Sequence, residues 1–263
     1  MSDSTTKRSD SLRLLSWNIL HGGGKRATDI LEAIATEKPD IVTLQEFRNG
    51  ANRDELVDGL LAMGLDHQFI PETSSNRDNT VIVASKLPFE ASSFPGNISN
   101  AEGANAVKAT FKAPIELTLF AVHLPHKQKQ LPYLEALLDL PKAYRNQSSV
   151  IMGDFNCGIP FEDSETKSFY ATHLFQQLLK DGWVDAWRSR NPKKREFTWI
   201  STKQQNGFRY DHALVSSELD KMLSTIRYQH EVRLSGVSDH SMLLVQLKFK
   251  LQHSIFNPAV LSI

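Results

Sequence analysis

The chain has 263 residues, 40% of them hydrophobic, with thirty basic and thirty acidic side chains and a pI near 7.1. Zero net charge excludes coating DNA or an anionic membrane by bulk attraction, so any polyanion must be gripped by a local patch. The single cysteine, Cys157, excludes an internal disulfide or a cysteine zinc cluster and fits a reducing compartment, cytosol or nucleus.

In chain order, residues 1–10 read as a polar arm without the apolar stretch of a secretory signal, and no later run is long enough to span a membrane. Alternation and short apolar runs predict strands near Leu12 to Ile19, Ile41 to Leu44, Val81 to Ala84, Val107 to Phe111, Leu117 to Val122, Val150 to Met152, Tyr210 to Val215 and Met242 to Phe249. Helical spacing is found in Ile30, Leu31 and Ile34 behind Thr28 as an N-cap, in Leu56, Val57, Leu60 and Leu61, and in Phe169, His173, Leu174 and Leu178. Two stretches rich in turn residues, Phe94 to Asn105 and Cys157 to Asp163, suit surface loops where sites are built. No repeat or linker divides the chain, so residues 11–250 read as one α/β domain followed by a tail over 251–263.

Four apolar strands run directly into polar side chains: Leu14 to Asn18, Ile41 to Glu46, Val150 to Asn156, and the segment Gly236 to His240 before the last strand. Asp154 and Asn156 are two apart, so in an extended segment they face one side while Phe155 turns to the core. Each residue taken singly has an ordinary explanation: a turn for Asn18, an ion pair for Glu46, a loop cap for Asp154. The tetrapeptide Gly153-Asp154-Phe155-Asn156, however, arises by chance only roughly once in several hundred chains of this length.

Six ordered segments carry a resemblance to the endonuclease/exonuclease/phosphatase (DNase I-like) superfamily. They are Ser16-Trp17-Asn18-Ile19, Leu44-Gln45-Glu46, Ala121-Val122-His123-Leu124-Pro125, Gly153-Asp154-Phe155-Asn156, Phe208-Arg209-Tyr210-Asp211-His212 and Ser238-Asp239-His240. The resemblance implies an α/β, four-layer α-β-β-α sandwich of two packed mixed sheets, with the site at one end. It implies a Mg2+-dependent, or Mn2+-dependent, phosphodiesterase acting on nucleic acid as a monomer. Glu46 becomes the main metal carboxylate, with Asn18 and Asp239 as direct or water-bridged ligands, an all-oxygen set that suits a hard cation and disfavours zinc. Asp154 activates the attacking water, Asn156 holds water or a phosphate oxygen, Asp211 orients His240, and His240 and His123 donate to phosphate.

The stretch from Gly182 to Asp211 is similar to the C-terminal half of exonuclease III-like nucleases. This chain departs from those repair enzymes in having His123, His126 and Leu20 where they carry tyrosine, asparagine and aspartate, and it lacks the inositol 5-phosphatase motifs. Two alternatives accompany the nuclease reading: a phosphomonoesterase or phospholipid hydrolase on the same scaffold, and a catalytically silent binding module. The basic run Arg188 to Arg195 and the residues Trp17, Trp183, Trp187 and Trp199 read as a solvated loop and as packing residues.

Overall fold

The structure, a computed structural model, describes residues 10–95, 106–167 and 169–250. The polar arm up to residue 9, the tail, and the loop expected up to Asn105 from residue 96 on lie outside the described residues.

Two six-stranded sheets form the centre. The first runs, in spatial order, β13 (Leu223–Gln229), β14 (Met242–Lys248), β1 (Ser11–Asn18), β2 (Ile41–Phe47), β4 (Thr80–Ser85) and β3 (His67–Phe69). The second runs β5 (Phe89–Ser93), β6 (Ala106–Phe111), β7 (Leu117–His123), β8 (Ser149–Asp154), β12 (Asp211–Val215) and β9 (Val184–Asp185), and a short hairpin pairs β10 (Trp199–Ile200) with β11 (Gly207–Phe208). Each sheet is mixed: β1 lies parallel to β2 and β7 to β8, while the other ladders are antiparallel. The helices are α1 (Ala27–Glu37), α2 (Arg53–Ala62), α3 (Leu131–Leu138), α4 (Ala143–Asn146), α5 (Thr172–Lys180), α6 (Ala186–Arg190), α7 (Ser217–Met222) and α8 (Glu231–Leu234).

The period-2 geometry of a strand explains the layering. In β1, Leu12 and Leu14 enter the core between the sheets, together with Val107, Leu119, Val150 and Met152 of the second sheet. Leu15 and Trp17 point the other way, joining Ile30 and Ile34 of α1 and Leu56 and Leu60 of α2. On the far side, Phe120, Val122, Ile151 and Leu214 meet Leu134 and Leu137 of α3 and Phe175 and Leu178 of α5. Three buried clusters between four layers give the α-β-β-α sandwich. Because β1, β2, β7 and β8 are apolar on both faces, they read as near-continuous hydrophobic runs, as buried strands do.

All eight expected strands are present, with ends shifted by at most three residues. Thr28 is not an N-cap: it lies inside the first turn of α1, and its hydroxyl donates to Glu55 Oε1 at 2.9 Å. Phe169 precedes α5 and packs against Phe208 and Tyr210 instead of belonging to the helix. The basic run is tied down by its own neighbours. Arg188 binds Asp163, Arg190 binds Asp220, Lys194 binds Glu196, and Arg195 donates to the Phe161 carbonyl. Among the described residues no helix is long and apolar enough to cross a membrane.

Candidate active site

Ladder register brings the first three groups together. His123 lies opposite Asp154 across β7 and β8, and Asp211 lies opposite Asp154 across β8 and β12. Residues in one row share a face of the sheet, so these side chains stand side by side where the second sheet ends. Gly153, immediately before Asp154, allows that register. Its φ is +145°, and a Cβ there would sit 1.9 Å from the Val122 carbonyl oxygen.

The first sheet supplies Asn18 from the end of β1 and Glu46 from β2. Strict alternation from the inward Thr43 and Gln45 would send Glu46 away from the other sheet. A register irregularity between Leu44 and Phe47 and a left-handed φ of 56° at Glu46 redirect it. The Asn18 amide nitrogen then donates to Asp154 Oδ2 at 3.0 Å and to Glu46 Oε1 at 3.2 Å, joining the two sheets through one side chain. Its Oδ1 accepts from the Leu20 backbone N–H.

The remaining groups close around this centre. His123 Nε2 is 3.9 Å from Glu46 Oε1 and 4.0 Å from Asp154 Oδ2, and its Nδ1 is buried without a hydrogen-bond partner among the described residues. His240 Nε2 is 3.7 Å from Asp154 Oδ2, and its Nδ1 pairs with Asp211 Oδ2 at 2.9 Å. Residues 46 and 240 thus face one another across Asp154. Asn156 departs from the extended geometry expected of it. The strand ends at Asp154, Phe155 enters the outer core, and Asn156 turns left-handed. Its backbone N–H donates to Asp154 Oδ1 and its amide nitrogen to the Leu124 carbonyl.

Burial sharpens the electrostatics. Burial opposes charge on His240, yet Asp211, then Asp154 and Asp239, raise its pKa from 6.5 to about 10, so it stands as an imidazolium at neutral pH. Burial would lift Glu46, but His123, His21 and hydrogen bonds from the His21 backbone and Asn18 outweigh it and hold this carboxyl below its ordinary value. Both therefore keep their charges, of opposite sign, within one cleft.

Several supporting residues were invisible as such in the sequence. Trp199, expected to be a packing residue, donates its indole N–H to Asp239 Oδ2 at 2.9 Å. The Thr198 hydroxyl accepts from the backbone N–H groups of Tyr210 and Asp211, and Ser238 donates to the Asn18 carbonyl. Arg209 is wholly buried and binds Asp163 and Asp185 at 2.6 Å each, which pins the loop from Cys157 to Asp163 beside the strand that carries Asp211. The Phe-Arg-Tyr-Asp motif flagged this arginine, but its carboxylate partners lie 24 and 46 residues away.

Asp239 Oδ1 and Asp211 Oδ1 are buried without a hydrogen-bond partner among the described residues. Unpaired carboxylate oxygens on the two aspartates beside His240 fit a divalent cation, whose charge would compensate them. Ligand atoms of Asp154, Asp211 and His240 lie within 4.8 Å of one another. Acid, amide and imidazolium groups so arranged can orient a water, withdraw its proton and receive charge on an anionic oxygen.

The model of the Endonuclease/Exonuclease/phosphatase family matches residues 15–240. Among solved structures, the chain is similar to an AP endonuclease from Archaeoglobus fulgidus, with a TM-score of 0.75 and 20% identity over 89% of this chain and 98% of that one. It is also similar to the 3′-5′ exonuclease NExo from Neisseria meningitidis, with a TM-score of 0.76 and 20% identity over 90% and 100% of the two chains. The 3′ phosphatase NExo from Neisseria bound to a product DNA hairpin matches with a TM-score of 0.75, 20% identity and the same coverage. At that identity the likeness establishes the fold.

Proposed function

The chain belongs to the endonuclease/exonuclease/phosphatase family, and on that footing we propose that it is a Mg2+-dependent phosphodiesterase, a nuclease that cleaves nucleic acid by in-line attack of water. The observation that carries the reading is the bridge made by Asn18 between Glu46 and Asp154, with His123 within 4.0 Å of both bridged carboxylates and His240 3.7 Å from that of Asp154. Five residues from five separate segments meet there, and a binding module without catalysis needs no such set.

In this reading Glu46 and Asp239 hold the cation, with Asn18 aligning Glu46. Bound there, the ion would draw charge from a phosphoryl oxygen and ease departure of the leaving group. Asp154 accepts the proton of the attacking water, and Asn18 keeps its carboxylate aimed. Asn156 fixes the far oxygen of Asp154 through its backbone N–H and offers its remaining amide hydrogen to water or phosphate. His240, held as imidazolium by Asp211, donates from Nε2 to a non-bridging oxygen, and His123 faces the same phosphate from the other side.

The test is hydrolysis of bis-p-nitrophenyl phosphate and of DNA in Mg2+ or Mn2+. Glu46→Gln and His240→Ala are each expected to lower turnover by at least about a hundredfold, the scale of losing one electrostatic or acid-base group. Unaltered turnover in both variants would reject the assignment. A second reading, a phosphomonoesterase or phospholipid hydrolase, is favoured by the imidazole of His123, a donor suited to a terminal phosphate. A panel of nucleic acids, lipids and small phosphate esters separates the two.

A further inference from the structure

Glu46 and Asp154 are each aimed by a neighbour. Asn18 donates to both, and the backbone N–H of Asn156 fixes the second oxygen of Asp154. For Asp239 the aiming group is an indole. Among the described residues the one hydrogen bond to its carboxylate comes from Trp199 Nε1, which donates to Oδ2 at 2.9 Å, while Oδ1 is buried without a partner.

Trp199 is itself locked in place. Its backbone pairs with Phe208 in the β10–β11 hairpin and bridges His240 in the segment before β14. The ring is packed against Phe208 and Tyr210, at centroid distances of 5.8 and 5.6 Å. One residue earlier, the Thr198 carbonyl accepts the Ser241 N–H at 2.9 Å, so the hairpin and the segment that carries Asp239 are docked on one another. Ser238 fixes the backbone on the other side: its hydroxyl donates to the Asn18 carbonyl and accepts the His240 N–H. The freedom left to Asp239 lies in its side-chain torsions, and the indole removes it.

The choice of donor matters chemically. An indole N–H donates, never accepts, and carries no charge. It therefore fixes a carboxylate without neutralising it. A lysine or arginine in that place would pair with Asp239 and compete with a cation, whereas a phenylalanine would keep the ring contacts and lose the aim. Hard divalent cations take oxygen ligands in a set geometry, and hydrogen bonds that orient such ligands are worth roughly 10–100-fold in metal affinity.

We propose that Trp199 is a positioning residue for the divalent cation: by holding Oδ2 of Asp239 it makes Oδ1 the oxygen presented to the ion. The proposal rests on the reading of Asp239 as a cation ligand.

Calorimetric titration of the full chain with Mn2+ tests it, with Trp199→Phe and Asp239→Asn measured alongside. Trp199→Phe is expected to weaken Mn2+ binding by roughly tenfold, the lower end of the range for an orienting partner. A role in packing alone predicts instead a lower urea-unfolding midpoint with unchanged Mn2+ affinity, and that result overturns the proposal. Asp239→Asn binding Mn2+ as tightly as the unsubstituted protein removes Asp239 from the ligand set and the proposal with it. Nitrogen-15 spectra of the unsubstituted protein give a measurement that needs no variant. The Trp199 indole signal, assigned through its contacts with the Phe208 and Tyr210 rings, is expected to shift on addition of Mg2+; a signal unmoved at saturating Mg2+ also overturns the positioning role. The reaction is judged separately. If Trp199→Phe lowers the affinity of a protein that cleaves no phosphodiester, the positioning role stands and the reaction assignment falls. If bis-p-nitrophenyl phosphate is hydrolysed and Trp199→Phe binds Mn2+ undiminished, the positioning role falls alone.

Discussion

Single side chains at this site act through the charge that they fix on a neighbour. Asp211 is buried and gives one oxygen to His240 Nδ1 at 2.9 Å, while its backbone carbonyl accepts the Tyr228 hydroxyl at 2.7 Å. Its carboxylate is the strongest of the charges that raise His240. Asp211→Asn keeps the shape and removes the charge, so His240 is expected to lose its imidazolium character at neutral pH. Turnover of bis-p-nitrophenyl phosphate should fall by about two orders of magnitude, as for loss of one acid-base contribution, with KM little altered. Steady-state kinetics checks this, and a loss confined to KM would show Asp211 acting in binding alone. Asn18 plays the other part, holding apart two carboxylates that would otherwise repel: its two donors reach Glu46 and Asp154 together.

At the scale of elements, the site depends on how strands are paired more than on the strands themselves. β7 and β8 run parallel, and the pairing of Val122 with Gly153 sets His123 beside Asp154. A Cβ at residue 153 would collide with the Val122 carbonyl, an atom that cannot move without breaking the ladder. Gly153→Ala is expected to destabilise the protein by about 3 kcal/mol or more, combining a steric clash with a φ that L-residues avoid. The urea-unfolding midpoint reports it. A shift of less than about 1 kcal/mol would mean that the sheet can slide to accept a methyl group, and with it that His123 and Asp154 need no fixed register. The irregularity in β2 works in the same way on the other sheet: without the turn at Glu46, alternation would point that carboxylate away from the cleft.

For the molecule as a whole, a buried charge cluster fastens the hairpin side of the site to the second sheet. Arg209, fully buried, binds Asp163 and Asp185, and Asp185 also caps α6 through the N–H groups of Trp187 and Arg188. Burial would raise both carboxyls, but Arg209 dominates and holds each below its ordinary value of 3.8. A carboxyl depressed in the folded state adds stability above its unfolded pKa and loses it as the pH falls toward the folded one. Stability is therefore expected to drop below about pH 4 as these groups bind protons on unfolding. Arg209→Met leaves two unpaired buried carboxylates and should cost about 3–5 kcal/mol at pH 7 while flattening that acid dependence. Urea titrations between pH 7 and pH 2.5 on both proteins check this, and parallel acid slopes would show that the cluster is not what titrates.

The eight main strands were legible because they are long, apolar and bounded by turn residues. The strand β13 was not, because it lies at a sheet edge with only two of its seven residues buried and no alternation to read. Likewise β9, β10 and β11 are two residues each, too short for any period. Local composition alone determined the residue types of the site, since acid, amide and imidazole groups stand immediately past apolar strands, and six such segments in order are specific. The tertiary structure decided their partners. Asn18 and Asp154 are 136 residues apart, Trp199 and Asp239 are 40 apart, and Arg48 meets His21 only after a left-handed turn and a bulge bring two loops together. Sequence carries the period of a strand because that period is local geometry, whereas hydrogen bonds between distant segments depend on register, which is set by how two sheets bury their shared face.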